Sequence, residues 1–336
     1  MKQNIHGLTL KELEGLLSNW GFCLFHARQI FSWIYKKRVL SFSRMSDLPL
    51  DLRKRLEENF SCGDLQLIKK LTAKDGTEKF LFKLNDGNFI ESVRIPAKGR
   101  ITGCISTQVG CKFGCRFCAS GMKGFKRNLT PAEIVKQVLY LSPTHLVFMG
   151  IGEPLDNYDN VLRAIRIINT KEGFNLGARR ITISTCGIVP GIKRLIEENL
   201  QIELSVSLHA ADEKTRLKIM PINKLYPLKE LLKACKDYIK KTNRQITFEY
   251  VLLKGINSDL QSAKNLSKIL KDLKLIKVNL IVANPIEEMG RVPPGVQETL
   301  RFQDYLRKQH INTILRRPRG RDIQAACGQL RLRYEK

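Results

Sequence analysis

The chain has 336 residues, 43% of them hydrophobic, enough for one barrel-sized domain and a smaller one without disulfide staples. Lysine and arginine total 58 against 32 acidic residues, a net +26, so the compact state repels itself unless a polyanion neutralises it; nucleic acid leads as partner over a merely basic, well-solvated surface. The opening MKQNIHGLTLKELEGLL lacks the apolar stretch and cleavage site of an export signal, and no apolar run reaches bilayer length, which predicts a cytoplasmic protein with no membrane association.

Residues 1–95 read as an accessory region for RNA recognition. Apolar residues recur at helical spacing in LTLKELEGLLSNWG and ARQIFSWIYKKRV, and a shorter helix follows at DLRKRLEENF. Alternating stretches come next, LQLIKKLTAKDGTEKFLFKL and NFIESVRIP, with Asp75-Gly76 and Asp86-Gly87 suited to hairpin turns. A small sheet is therefore expected behind a helical cap.

Residues 96–336 form the second region. Strand-like runs ITGCISTQ, HLVFM, RITIS, IELSVSL, ITFEYVLL and KVNLIVAN alternate with amphipathic helices, and a further short strand is expected at NTILRR. In LTPAEIVKQVLYL, Thr130 reads as an N-cap, Pro131 as the first helical residue and Glu133 as the other half of a capping box. Six such units are too few to close an eight-stranded barrel and predict an α/β fold with a partial (β/α)6 barrel. Out-of-place polar residues collect just past the strand ends: the cysteine loop, Gly152 and Glu153, Ser184, Ser207 and His209, and Asn284. That rim is where barrels of this kind bind ligands.

Nine cysteines in a reducing compartment point to metal or catalysis. The run GCKFGCRFCASG places Cys111, Cys115 and Cys118 in C-x3-C-x2-C spacing within a glycine-containing loop. Four irons usually take four thiolates, so a triplet leaves one iron open, able to chelate S-adenosylmethionine (SAM) and pass it an electron. The competing reading is a zinc site on the triplet plus Cys104. Phe117 is placed to shield the cluster or simply to pack. Glu153 is suited to the SAM ammonium group, with Ser184, Ser207, His209 and Asn284 as hydrogen-bonding partners. Cys23, Cys62, Cys186 and Cys235 read as small core residues or bystanders.

These residues carry a resemblance. From QIFSWIY and MSDLP through ESVRIP, GFKRNLTPAEIVKQV, MGIGEPL, SLHA and MPIN to RGRDIQAACGQL, the chain resembles the RlmN-type radical SAM adenosine-C2 methyltransferases of ribosomal and transfer RNA, the branch that also holds the Cfr resistance enzymes. The resemblance implies a 4Fe-4S cluster on Cys111, Cys115 and Cys118, and SAM contacts at Gly152, Glu153, Ser184, Ser207, Leu208, His209 and Asn284. It further implies that Cys327 carries the methyl group, that Cys104 is its partner thiol and that Glu91 accepts a proton. Adenine C2 is too weak a nucleophile for direct displacement on SAM, so the implied route is radical. One SAM methylates Cys327; a second yields a radical that takes a hydrogen from that methyl, and the methylene radical adds to C2. Glu91 or Cys104 then removes the proton, and Cys104 attacks the Cys327 sulfur, leaving a disulfide.

Expected substrates are an adenosine in the peptidyl-transferase region of 23S rRNA and the adenosine 3′ of certain tRNA anticodons. Basic clusters (Lys123, Lys126 and Arg127; Arg179 and Arg180; Arg316, Arg317, Arg319 and Arg321) are suited to gripping phosphates. A flavodoxin or ferredoxin is the expected electron donor, and a monomer the expected state. The nearest alternative is a Cfr-like C8 methyltransferase; Gly-Glu-Pro in MGIGEPL favours C2, since Cfr-type sequences tend to carry alanine there. A zinc-stabilised RNA-binding module without catalysis is the rival from another class. Departures from the family pattern are slight: Ser120 where threonine is common, and Cys186 where serine is.

Overall fold

The computed structural model describes residues 2–63, 65–284 and 292–330. Three helices, α1 (Leu10–Asn19), α2 (Phe25–Phe31, continued by a π turn) and α3 (Leu50–Asn59), make the expected cap. Ten strands then form one sheet, hydrogen-bonded in chain order from edge to edge. They are β1 (Gln66–Thr72), β2 (Glu78–Lys83), β3 (Phe89–Ala97), β4 (Arg100–Cys104), β5 (His145–Phe148), β6 (Ile181–Thr185), β7 (Glu203–Ser207), β8 (Ile246–Leu252), β9 (Ile276–Val282) and β10 (Thr313–Arg316).

From β4 to β10 every pairing is parallel, so the six expected units are present and the short strand at NTILRR adds a seventh parallel member. The crossovers are α4 (Pro131–Leu141), α5 (Tyr158–Asn169), α6 (Val189–Glu197), α7 (Glu213–Ile219) with α8 (Leu228–Thr242), α9 (Leu260–Leu270) and α10 (Val296–Lys308). At α4 the capping box forms as spelled: Glu133 N donates to Thr130 Oγ at 3.3 Å, and Thr130 N donates to Glu133 Oε2 at 2.8 Å.

Side chains along the parallel strands point alternately to the core and to the barrel interior. Leu146, Phe148, Ile181, Ile183, Leu204, Val206, Ile246, Phe248, Val278 and Leu280 are fully or almost fully buried in the main core, each such side chain contributing roughly 2 kcal/mol through removal of apolar surface from water. The residues between them face the barrel interior, and many are polar: Ser184, Ser205, Ser207, Glu249 and Asn279. A closed barrel fills that space with aliphatic layers; here polar side chains share it with Met149, Val251 and Ile281 and leave a chamber open to a ligand.

The small sheet expected within residues 1–95 is not separate. β1, β2 and β3 extend the barrel sheet in antiparallel fashion, with Val93 opposite Cys104 and Ala97 opposite Arg100. The reason is the unpaired edge that a partial barrel leaves on its first strand, which β3 satisfies through a tight turn. The division expected after residue 95 thus falls inside β3. The cap, by contrast, docks from outside: Arg163 of α5 donates to the Gly7 carbonyl at 2.7 Å and pairs with Glu12 at 2.6 Å.

Beyond β10, residues 317–330 run as a strap from the β1–β2 turn to the cysteine loop. Gly320 N donates to Asp75 Oδ2 at 3.1 Å, Lys79 Nζ to the Gln324 carbonyl at 3.3 Å, and Ala119 N to the Gly328 carbonyl at 2.7 Å. The strap carries Cys327 across the mouth of the barrel.

Candidate active site

Two cavities meet at that strap. The first, about 160 Å³, is lined by Cys111, Cys115 and Cys118 together with Gly152, Glu153, Ser184, Ser207, His209 and Cys327. The cysteine loop lies between two short paired strands, Gln108–Gly110 and Phe125–Asn128, which fix both its ends. Burial pushes the Cys111 thiol up to about 12 and raises Cys115 and Cys118, with neighbouring thiols of the triplet adding to the shift at Cys111 and Cys115. Such thiols ionise only against a strongly cationic partner, so the donor set fits an iron centre that arrives with its own positive charge. Cys104, the fourth ligand of the zinc reading, lines the second cavity and not that of the triplet.

The MGIGEPL turn forms the next wall. Gly152 has φ +104°, and a Cβ there would come within 2.6 Å of the Gln108 side chain; a Cβ on Gly150 would meet the Ile105 carbonyl group at 2.6 Å. Neither position admits another residue. Glu153 is buried, which raises its carboxyl, while Cys186 N at 2.7 Å and Leu155 N at 3.0 Å donate to its two oxygens. The side chains of Thr185 and Cys186 bond to the same carboxylate, so it is held in a fixed orientation at the cavity wall.

His209 adopts a left-handed φ of +57° and is buried. Val251 N donates to its Nδ1 at 2.9 Å, so the proton resides on Nε2. Burial, with help from Arg216, pulls its pKa down to about 3, so the ring is neutral throughout the working range. Phe117 packs edge-on against it, centroids 4.5 Å apart, joining the cysteine loop to this wall.

The second cavity, about 320 Å³, has apolar walls (Ile95, Val147, Val282, Ala325) and a row of cations, Arg100, Arg316, Arg317 and Arg319. Cys104 and Asn284 line it, and Cys327, Met149, Ile281 and Arg316 belong to both cavities. Asn284 Nδ2 donates to the Cys327 carbonyl at 3.1 Å, while its Oδ1 is buried without a partner. Cys104 and Cys327 are both free thiols. Burial pushes Cys104 up to about 12, with Cys327 adding to the shift.

Of the expected site residues, two line neither cavity. Leu208 is fully buried and presents only backbone: its N–H donates to the Glu249 carbonyl at 3.0 Å and its carbonyl accepts from Arg216. Glu91 is buried on β3, one strand from Cys104, and pairs with Lys79 at 3.2 Å. Sequence reasoning missed Glu249, gave Arg316 only to phosphates and read Cys186 as a bystander; all three stand in the first cavity wall. Glu249 accepts from Asn279 Nδ2 at 3.0 Å, faces Arg316 at 3.8 Å and keeps one oxygen without a hydrogen bond. The acidic neighbours of Arg316, the Cys327 side chain first and then Glu249, raise its pKa. The signal for Glu249 was present: an acid inside the apolar strand FEYV has a reason to be there.

Residues 105–265 match the family model of the radical SAM superfamily, and residues 3–62 that of the ribosomal RNA large subunit methyltransferase N-terminal domain. A curated protein of Clostridium novyi named as a dual-specificity RNA methyltransferase RlmN is 45% identical over 339 residues, covering 99% of this chain and 98% of that protein. A counterpart from Geobacillus thermodenitrificans is 45% identical over 342 residues, covering 99% of this chain and 94% of its own length. The crystal structure of a radical SAM methyltransferase from Sphaerobacter thermophilus superposes with a TM-score of 0.93 at 42% identity, covering 98% of this chain and 99% of that one.

Proposed function

Because this chain belongs to the family of RlmN dual-specificity radical SAM RNA methyltransferases, we propose that it methylates C2 of adenosine in 23S rRNA and in tRNA through a methyl group carried on Cys327. The rRNA target is the peptidyl-transferase region and the tRNA target the adenosine 3′ of the anticodon. The observation that carries the reading is the position of Cys327, shared by a cavity lined with three cysteines and a cavity lined with arginines.

Cys111, Cys115 and Cys118 hold the 4Fe-4S cluster that the superfamily implies, which together with SAM supplies a carbon radical when bound. Gly152, Glu153, Ser184, Ser207 and His209 bind SAM, with His209 offering Nε2–H and Leu208 contributing backbone. Two SAM molecules serve each turnover, one as methyl donor to Cys327 and one as radical source. Asn284 fixes the strap through the Cys327 carbonyl and leaves Oδ1 free for a donor on the base or the cofactor. Adenine enters the second cavity after leaving its stack, which costs a few kcal/mol in a duplex and less in a loop. Arg100, Arg317 and Arg319 meet its phosphates. Either Cys104, in the cavity wall, or Glu91, beside it on β3, takes the C2 proton. Cys104, as the thiolate, then attacks the Cys327 sulfur to form a disulfide, and the bond from that sulfur to the transferred carbon breaks. The freed carbon takes a proton to become the methyl group, and the odd electron left from the radical addition passes back to the redox partner. The cap and adjoining strands, residues 1–95, supply RNA recognition to the catalytic residues 96–336. A flavodoxin or ferredoxin delivers electrons to the monomeric enzyme.

The test is methylation of rRNA fragments and tRNA side by side with methyl-labelled SAM, followed by nucleoside identification. 2-Methyladenosine is expected in both. 8-Methyladenosine would assign the enzyme to the Cfr-like reaction instead, and an unlabelled product would overturn the assignment altogether.

A further inference from the structure

Among the described residues Arg216 is the largest side chain shut off completely from solvent. It stands on α7, and among the described residues no carboxylate pairs with it. Its guanidinium is held by neutral groups: Nη2 donates to the carbonyls of Cys186 at 2.8 Å and Ser207 at 3.3 Å, Nε to that of Leu208 at 3.2 Å, and Nη1 to Asn223 Oδ1 at 2.8 Å. The nearest acid in this network, Glu213, is one side chain further away, accepting from Asn223 Nδ2 at 2.7 Å. The surrounding backbone is shaped to the guanidinium, since a Cβ on Gly187 (φ +109°) would approach Nη2 to 3.1 Å.

A buried cation satisfied by dipoles alone is costly unless an anion completes it. The ionisable groups facing Arg216 are Cys186, Cys115, Glu213 and Cys235, with His209 on the cavity side. His209 is neutral, and Cys186 and Cys235 are buried thiols that resist ionisation. Glu213 lies behind Asn223. Cys115 differs, because it belongs to the triplet. Moreover α7 reaches the cysteine loop directly: Arg116 N donates to the Ile219 carbonyl at 2.9 Å.

We propose that Arg216 is the fixed counter-charge of the iron-sulfur cluster, making the cluster easier to reduce while tying its charge to the Ser207–Leu208 backbone of the SAM wall. This rests on the cluster assignment made above. Three thiolates give a bound 4Fe-4S centre a net negative charge, and one-electron reduction, by an added low-potential reductant, makes it more negative by one unit with no proton needed. A cation in a low-dielectric surrounding favours that reduced form. Arg216 is a positioning residue, touching neither substrate nor the reacting atoms.

The experiment is an anaerobic redox titration of the reconstituted full chain, followed by electron paramagnetic resonance. Arg216→Gln is expected to keep its iron and sulfide content and to shift the midpoint negative, so that less cluster is reduced at a given potential. Arg216→Lys, which keeps the charge but not the bonding fork, should restore most of the shift. Should Arg216→Gln fail to fold, Asn223→Asp decides alone: it is isosteric, sets a carboxylate against Nη1 and is expected to lower the midpoint as well. Midpoints equal to wild type in every variant that folds overturn the proposal. A wild-type chain that holds no cluster would instead overturn the cluster assignment on which it stands.

Discussion

The two cavities that share Cys327 are opposites in charge. The first presents the cysteine triplet, Glu153 and Glu249, a soft and acidic wall suited to iron and to a cofactor with sulfonium and ammonium centres. The second presents Arg100, Arg316, Arg317 and Arg319 around an apolar box, suited to a flat base with its phosphates. Only Arg316 carries a positive charge into both, and Glu249 faces it from the first. On the proposed shuttle mechanism, the division means that Cys327 need not travel far. It sits on the boundary, and the strap that carries it is fastened at one end to the β1–β2 turn and at the other to the cysteine loop.

Changes confined to one cavity should therefore leave the other working, and the largest effect is expected on the cluster side. Alanine at Cys111, Cys115 or Cys118 should abolish the brown iron-sulfur absorption and all methyl transfer, while the arginine-lined cavity still binds RNA in a filter or mobility assay. RNA affinity falling in parallel with iron would show that the cavities are not separable. Next comes the boundary. Cys327→Ala should keep the cluster and SAM binding and lose turnover, and normal turnover would refute the shuttle. Cys104→Ala should still allow attack on adenine but not release, so a covalent protein–RNA species is expected on a denaturing gel.

A smaller effect is expected on the RNA side. Arg317→Gln and Arg319→Gln should raise the KM for RNA and leave kcat nearly unchanged. The slope of log affinity against log salt should drop by about one for each phosphate that is no longer neutralised. An unchanged salt slope would remove these arginines from the RNA path.

The sequence made some of this legible and hid the rest for physical reasons. The parallel strands, the Thr130–Glu133 capping box and the cysteine triplet are local signals: pattern period, a three-residue offset, a tight spacing. The join between β3 and β4 is not local in that sense, because an alternating stretch looks the same whether it forms its own sheet or seals another's edge. Arg216 was invisible: in EKTRLK it is one cation among several on a short polar helix, and only the packed fold shows that it is the one turned inward. Cys186, read as a bystander, reaches the cavity because Glu153 is bound by its backbone N–H, a link across 33 residues.

The smallest expected effect separates the cavities most cleanly, because each hairpin aspartate fastens one of them. Asp75 orders its own turn through Thr77 N at 2.9 Å and holds Gly320 N of the strap at 3.1 Å. Asp86 orders the next turn through Asn88 N at 3.0 Å and pairs with Arg127, on the strand that closes the cysteine loop. Asp75→Asn should slow methyl transfer from Cys327 with the iron content unchanged. Asp86→Asn should speed loss of iron to a chelator with Cys327 chemistry unchanged. Exposed pairs of this kind contribute at most about 1 kcal/mol, so changes of no more than about fivefold are expected. The Arg127 hydrogen bond, with Asn88 assisting, lowers the Asp86 carboxyl to about 2, below its ordinary value near 4. A depressed carboxyl stabilises the fold fully above the unfolded value and loses that contribution as pH falls through the folded one. The stability gap between wild type and Asp86→Asn, measured by urea unfolding, should accordingly be full at pH 5 and close as pH approaches 2. A gap that stays constant over that window would show that Arg127 is held by Glu133 alone.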